Sequence, residues 1–117
     1  MGKRVFLLED DEGIRDVIEL ILGLENYEVI SFETVTTFME ANINQVPDLF
    51  ILDVMLPDGN GMDVCAELKS INNNIPVLMM SAHANAADIF LNCAANDFMA
   101  KPFDLNNLLE KVNKLVA

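Results

Sequence analysis

The sequence predicts an α/β fold, a parallel sheet of five strands with five helices covering both of its faces. Three observations predict it. Short, nearly continuous apolar runs bounded by turn residues read as strands buried on both sides. Between them, apolar residues recur at spacings of three and four, which is one face of an amphipathic helix. The two patterns alternate along the whole chain, and strand–helix alternation favours right-handed crossovers between parallel strands. The order of the strands does not follow from this alternation.

The first run is Val5-Phe6-Leu7-Leu8, which stops on Glu9-Asp10-Asp11-Glu12. After Gly13, residues Ile14, Val17, Ile18, Ile21 and Leu24 form a helical stripe that Asn26 closes. Tyr27–Ser31 is more polar and alternates, as an edge strand does. Val35, Phe38, Met39 and Ile43 mark a short helix with Thr34 near its cap. Pro47-Asp48 launches the strand Leu49–Asp53, and Pro57-Asp58-Gly59 punctuates its exit. Met62, Cys65, Leu68 and Ile71 make the next stripe, stopped by Asn72-Asn73-Asn74. Pro76 opens the strand Val77–Ser81, a helix is expected over roughly Ala86–Ala94, and Asp97–Ala100 is a short last strand. Beyond Lys101-Pro102, a helix carries Leu105, Leu108, Leu109, Val112, Leu115 and Val116 on one side.

Residues 1–117 make a single domain, with room for one core and not for two. An apolar fraction of 52% and a charged fraction of 22% suit a compact soluble globule. No apolar stretch approaches the ~20 residues a membrane span needs, and no signal segment precedes Val5. Phe6 stands where a myristoylation signal would want Ser or Thr. Cys65 and Cys93 lack metal-like spacing and read as buried, reduced thiols, so a cytoplasmic location is expected. The net charge of −12 argues against nucleic-acid binding by this domain and suits a cation or a basic partner.

Four strand ends terminate in polar groups: Glu9-Asp10-Asp11, Asp53, Ser81 and, just past the last strand, Lys101. Parallel strands point their carboxyl ends the same way, so these side chains converge on one crevice. Gathered carboxylates repel one another and call for a cation. The donors are all oxygen, without sulfur or imidazole, which points to a hard ion such as Mg2+, with Mn2+ as a substitute. Lys101 adds a mobile positive charge and Ser81 a hydroxyl donor. A carboxylate, a divalent cation, a lysine and a hydroxyl together suit phosphoryl transfer to an Asp nucleophile.

These residues carry a resemblance. The chain resembles the receiver domain of two-component response regulators over essentially its whole length. The matching motifs are Val5–Glu12, Asp53-Val54-Met55-Leu56-Pro57 with Gly61, Met80-Ser81-Ala82, and Asp97–Phe103. Each is weak alone; their order and spacing together are specific. The resemblance implies a doubly wound, flavodoxin-like sheet of order 2-1-3-4-5. It implies Asp53 as phosphoacceptor and Asp10 as a direct magnesium ligand beside Asp53. Glu9 would act on the metal largely through water, and the main-chain carbonyl of Met55 would be a further ligand. Asp11 would serve the following helix start. Ser81 would hydrogen-bond the phosphoryl group, Lys101 would pair with it, and Phe98 would be the rotameric switch. A cis bond is expected between Lys101 and Pro102.

The implied function is a signalling domain that promotes only its own phosphorylation and dephosphorylation, not an enzyme with an external substrate. A histidine kinase or phosphotransfer protein would be the donor. A downstream protein, or an output domain outside this chain, would be the receiver of the signal. Ser81 and Phe98 would shift together on phosphorylation and reshape the face of the fourth helix, last strand and last helix. Phe98, unlike a Tyr, has no hydroxyl to fix its inward state; plain core packing is its other reading. Met55 and His83 flank the site, where the family tunes aspartyl-phosphate lifetime. Ala94 departs from the family's Gly, at a cost of order 1 kcal/mol if the backbone there needs a positive φ. So few Lys and Arg also disfavour the charged dimer of the DNA-binding subfamily. Two alternatives stay open. One is a degenerate receiver acting only as a protein-interaction module, against which the complete residue set argues. The other is a Mg2+-dependent phosphohydrolase with an Asp nucleophile, which would want a second Asp where Met55 stands.

Overall fold

The computed structural model describes residues 2–41, 46–82 and 94–117. In chain order the elements are β1 (Arg4–Leu8), α1 (Glu12–Leu24), β2 (Glu28–Phe32), α2 (Val35–Ala41) and β3 (Leu49–Asp53). They continue with β4 (Met55–Leu56), β5 (Gly59–Asn60), α3 (Gly61–Ile71), β6 (Val77–Ser81) and β7 (Asp97–Ala100). The last is a helix over Leu105–Val116, here α4. The helix expected over 86–94 falls, apart from Ala94, outside the described residues, as do Ile43, His83 and Cys93. Among the described residues no helix is long and apolar enough to cross a membrane.

Five strands form one parallel sheet in the order β2-β1-β3-β6-β7. Counting the sheet's strands alone, this is the expected order 2-1-3-4-5. β3, at its centre, and β6 beside it are buried at every residue, as a strand covered on both faces must be. Side chains alternate across the sheet and feed two cores. Phe6, Leu8, Phe50, Leu52, Val77 and Met79 pack on the side of α2 and α3 with Phe38, Val64 and Leu68. Val5, Leu7, Ile51, Leu78, Met80 and Met99 pack on the other side with Ile18 and Leu22 of α1 and Leu108 and Val112 of α4. Four rings on the first side, Phe32–Phe6–Phe50–Phe38, meet edge to face at centroid distances of 5.4–6.1 Å, the arrangement their quadrupoles favour.

The helix starts follow local chemistry. Asp11 caps α1 by accepting from the Ile14 N–H at 3.0 Å, as anticipated. Thr34 Oγ1 accepts from the Thr37 N–H at 3.1 Å and so caps α2. Asn60 and Asp104 cap α3 and α4 through the N–H groups of Met62 and Asn106. Asn26, which ends α1, has φ 67°, a conformation asparagine tolerates. The small antiparallel ribbon β4–β5 was not anticipated; two-residue strands carry no readable periodicity.

Candidate functional site

The carboxyl ends of β1, β3 and β6 and the exit of β7 bring the predicted polar residues to one end of the sheet. By alternation, Glu9 continues the side of Val5 and Leu7, and Asp53 that of Leu49 and Ile51. Both therefore face α1. Glu9 is fully buried, Asp53 nearly so, and Asp10 is exposed. One carboxylate oxygen from each of Glu9, Asp10 and Asp53 lies within 4.8 Å of the other two. Lys101 reaches across this cluster. Its Nζ donates to Glu9 Oε1 at 2.5 Å and to Asp53 Oδ2 at 3.0 Å. Its side chain is largely buried, so these pairs are poorly screened by water.

The strand ends are tied backbone to backbone. Val54 N–H donates to the Met80 carbonyl at 3.0 Å, and Lys101 N–H to the Ser81 carbonyl at 2.9 Å. Ser81, buried at the end of β6, pairs with Ala100 in the sheet register, one residue before Lys101. The Lys101–Pro102 peptide is cis. Gly61 sits directly on the Asp53 main chain: a Cβ there would lie 1.8 Å from the Asp53 carbonyl oxygen. Only glycine allows α3 to start so close to the strand end, with the Gly61 N–H bound to the Val54 carbonyl at 2.8 Å.

Electrostatics follow from this burial. Burial pushes the Glu9 carboxyl up to about 7, against the pull of the Lys101 ammonium and the Asp11 N–H. Burial also works against the charge on Lys101, but the hydrogen bonds and charges of Glu9 and Asp53 outweigh it and hold the ammonium above its ordinary range. Three clustered carboxylates met by one ammonium leave a negative excess. Hard oxygen donors with that excess fit a hard divalent cation, and nothing in the set favours a softer metal.

Two contributors were not foreseen. Arg15, on the second turn of α1, donates from Nη1 to the Glu9 carbonyl at 2.9 Å and fixes the peptide between the acidic pair. Its position one turn behind an acidic loop was the available signal. Asp58, beyond the strand, binds the start of α2, and no local pattern could announce a contact between segments so far apart in sequence. Phe98 is half-buried and packs against the α2–α3 core. Next to the carboxylates, Ile14, Val17, Pro102, Phe103 and Leu105 line an apolar groove of about 370 Å³ that shares Lys101 with the cluster.

Comparison with known proteins decides the family. The family model of the response regulator receiver domain matches residues 5–113. The chain belongs to that family. Among curated relatives, this receiver domain is 35% identical to the transcriptional regulatory protein CreB of Escherichia coli, over 96% of this chain and 50% of CreB. It is 33% identical to the transcriptional regulatory protein GltR of Pseudomonas aeruginosa, over 98% of this chain and 49% of GltR. It thus spans about half the length of the curated relatives it matches. Among solved structures, it superposes on a CheY-like receiver domain protein from Methanospirillum hungatei with a TM-score of 0.92 at 26% identity, covering 99% of this chain and 94% of the other. The non-phosphorylated HemR receiver domain of Leptospira biflexa matches with a TM-score of 0.91 at 29% identity, covering 99% and 95%.

Proposed function

We propose that this receiver domain accepts a phosphoryl group on Asp53 from the phosphohistidine of a kinase or phosphotransfer protein. The observation that carries this reading is the bridging of Asp53 and Glu9 by one buried ammonium, beside an exposed Asp10. A carboxylate meant only to cap a helix needs no such company. An Asp53 carboxylate oxygen attacks phosphorus in line as the P–N bond breaks in a phosphoimidazole that is protonated on its other ring nitrogen, and the leaving nitrogen keeps that electron pair. The product is an acyl phosphate on Asp53 and a neutral histidine on the donor.

The chain's own residues position and neutralise. Lys101 already touches the Asp53 oxygen, so a small shift lets its ammonium follow the new charge onto the phosphoryl oxygens. Glu9 holds that ammonium in place from the other side. Arg15 and the Asp11 N–H keep the Glu9–Asp10 segment in register. Ser81 would donate its hydroxyl to the phosphoryl group. Asp10, Asp53 and the Met55 carbonyl would hold Mg2+ directly and Glu9 would hold it through water; when bound, the ion supplies positive charge to the phosphoryl oxygens.

Phe98 would move inward when Ser81 engages the phosphoryl group, reshaping the neighbouring surface. Its packing at the margin of a core, half-buried, supports a side chain with somewhere to go. The apolar groove beside the site, continued on α1 by the exposed Leu20 and Leu24, supports docking of a helical donor there. The receiver of the signal would be an output domain outside this chain or a separate protein, and a cytoplasmic site of action fits both. The test is intact mass after incubation with acetyl phosphate and Mg2+. A gain of one phosphoryl group, lost in Asp53→Asn and with chelator, is expected. An undiminished gain in Asp53→Asn would assign the chemistry to another residue.

A further inference from the structure

The ribbon Met55–Asn60 carries the fourth oxygen donor of the proposed metal site, the Met55 carbonyl, yet little in the ribbon itself holds it still. It has two residue pairs, Met55 with Asn60 and Leu56 with Gly59. Such a short ribbon is not stable by itself in water. Its tip is moored elsewhere. Asp58 Oδ1 accepts from the Val35 N–H at 2.8 Å, and Oδ2 accepts from the Thr36 N–H at 3.0 Å and the Thr36 hydroxyl at 2.7 Å. A second contact lies alongside: a Cβ added to Gly59 would come within 3.0 Å of a Val35 methyl. The ribbon tip therefore lies against the first residues of α2. α2 also has its own cap in Thr34, so the Asp58 carboxylate is not needed merely to start that helix.

We infer that Asp58 is a positioning residue for cation binding: it latches the ribbon to α2 and so fixes the Met55 carbonyl relative to Asp10 and Asp53. This rests on the proposed metal-assisted phosphoacceptor reading. Asp58 touches neither the ion nor the phosphoryl group; it acts through the ribbon. Contacts of this kind behind a metal ligand are commonly worth about tenfold in affinity or more.

The experiment is calorimetric titration of the phosphate-free protein with Mg2+, for wild type, Asp58→Ala, Asp58→Asn and Thr34→Ala, with amide exchange followed over residues 54–60. Asp58→Ala is expected to weaken Mg2+ binding about tenfold and to speed exchange in the ribbon while the sheet strands stay protected. Asp58→Asn, which keeps one acceptor oxygen, should fall between Asp58→Ala and wild type. Thr34→Ala weakens α2 without releasing the ribbon and should leave the affinity unchanged. Equal affinity in Asp58→Ala and wild type overturns the inference and leaves the phosphoacceptor reading standing. A loss in Thr34→Ala as large as in Asp58→Ala overturns it too, since helix stability alone would then explain the effect. A wild type that binds no Mg2+ overturns the metal reading, and this inference with it.

Discussion

At Glu9 a carboxylate is buried completely and held by one ammonium, and its titration becomes a property of the whole fold. Its folded value, about 7, lies above the ordinary 4.5. A raised carboxyl pKa means that protonation favours the folded state. The stabilisation is fully present below about 4.5 and is lost as pH rises through about 7. The metal-free protein is therefore expected to melt at a lower temperature at pH 8 than at pH 5. The difference attributable to Glu9 is on the order of 2–3 kcal/mol at most. Glu9→Gln should flatten that slope, and thermal melts across the range check it. An unchanged slope in Glu9→Gln would assign the pH dependence to other carboxylates. Mg2+ favours the ionised form and should flatten the wild-type slope as well. Asp58 has the opposite sign. Its hydrogen bonds to Thr36 and the Val35 N–H hold its carboxyl below the ordinary range, so its contribution is lost only as pH falls below 3.8.

At the scale of elements, the strands were the most legible part of the sequence. Leu49–Asp53 and Val77–Ser81 begin and end where their apolar runs do, because burial at every residue leaves no room for a polar side chain before the strand end. Asp11 and Thr34 were legible as caps because a cap is local chemistry. The β4–β5 ribbon, the grip of Arg15 on the Glu9 carbonyl and the latch of Asp58 on α2 were not, because each joins segments through backbone geometry that no periodicity encodes. Strand order, likewise, came from the family resemblance and not from the alternation of elements. One departure from the family pattern proves physically specific. Ala94 has φ 56°, in the left-handed region, where a Cβ crowds the following carbonyl. Ala94→Gly is expected to stabilise the fold by about 1 kcal/mol, measured by urea denaturation; destabilisation would show that the gain in unfolded-chain entropy outweighs relief of the strain.

For the whole molecule, the sheet acts as a frame that delivers four strand ends to one place and leaves charge there unbalanced. Filling that site should couple to global stability. Mg2+ is expected to stabilise the fold by RT ln(1 + [L]/Kd), so that the melting temperature climbs with Mg2+ concentration, and Asp10→Asn should abolish most of the rise. A rise of equal size in Asp10→Asn would place the ion elsewhere on this acidic surface. The exposed Leu20 belongs to the same scale, as part of the docking surface proposed for a donor. Leu20→Asp should slow transfer from a phosphohistidine donor roughly tenfold or more, as loss of a central apolar contact does, and leave phosphorylation by acetyl phosphate unchanged. Equal slowing with both donors would mean that the substitution damages the site and not the docking.

The proposed nucleophile, Asp53, can be tested directly. Borohydride reduction of the freshly phosphorylated protein converts an aspartyl phosphate to homoserine, and peptide mass spectrometry locates the converted residue. Conversion at Asp53 is expected, with none at Glu9, Asp10 or Asp11. Conversion at any of those three, with Asp53 intact, would contradict that assignment.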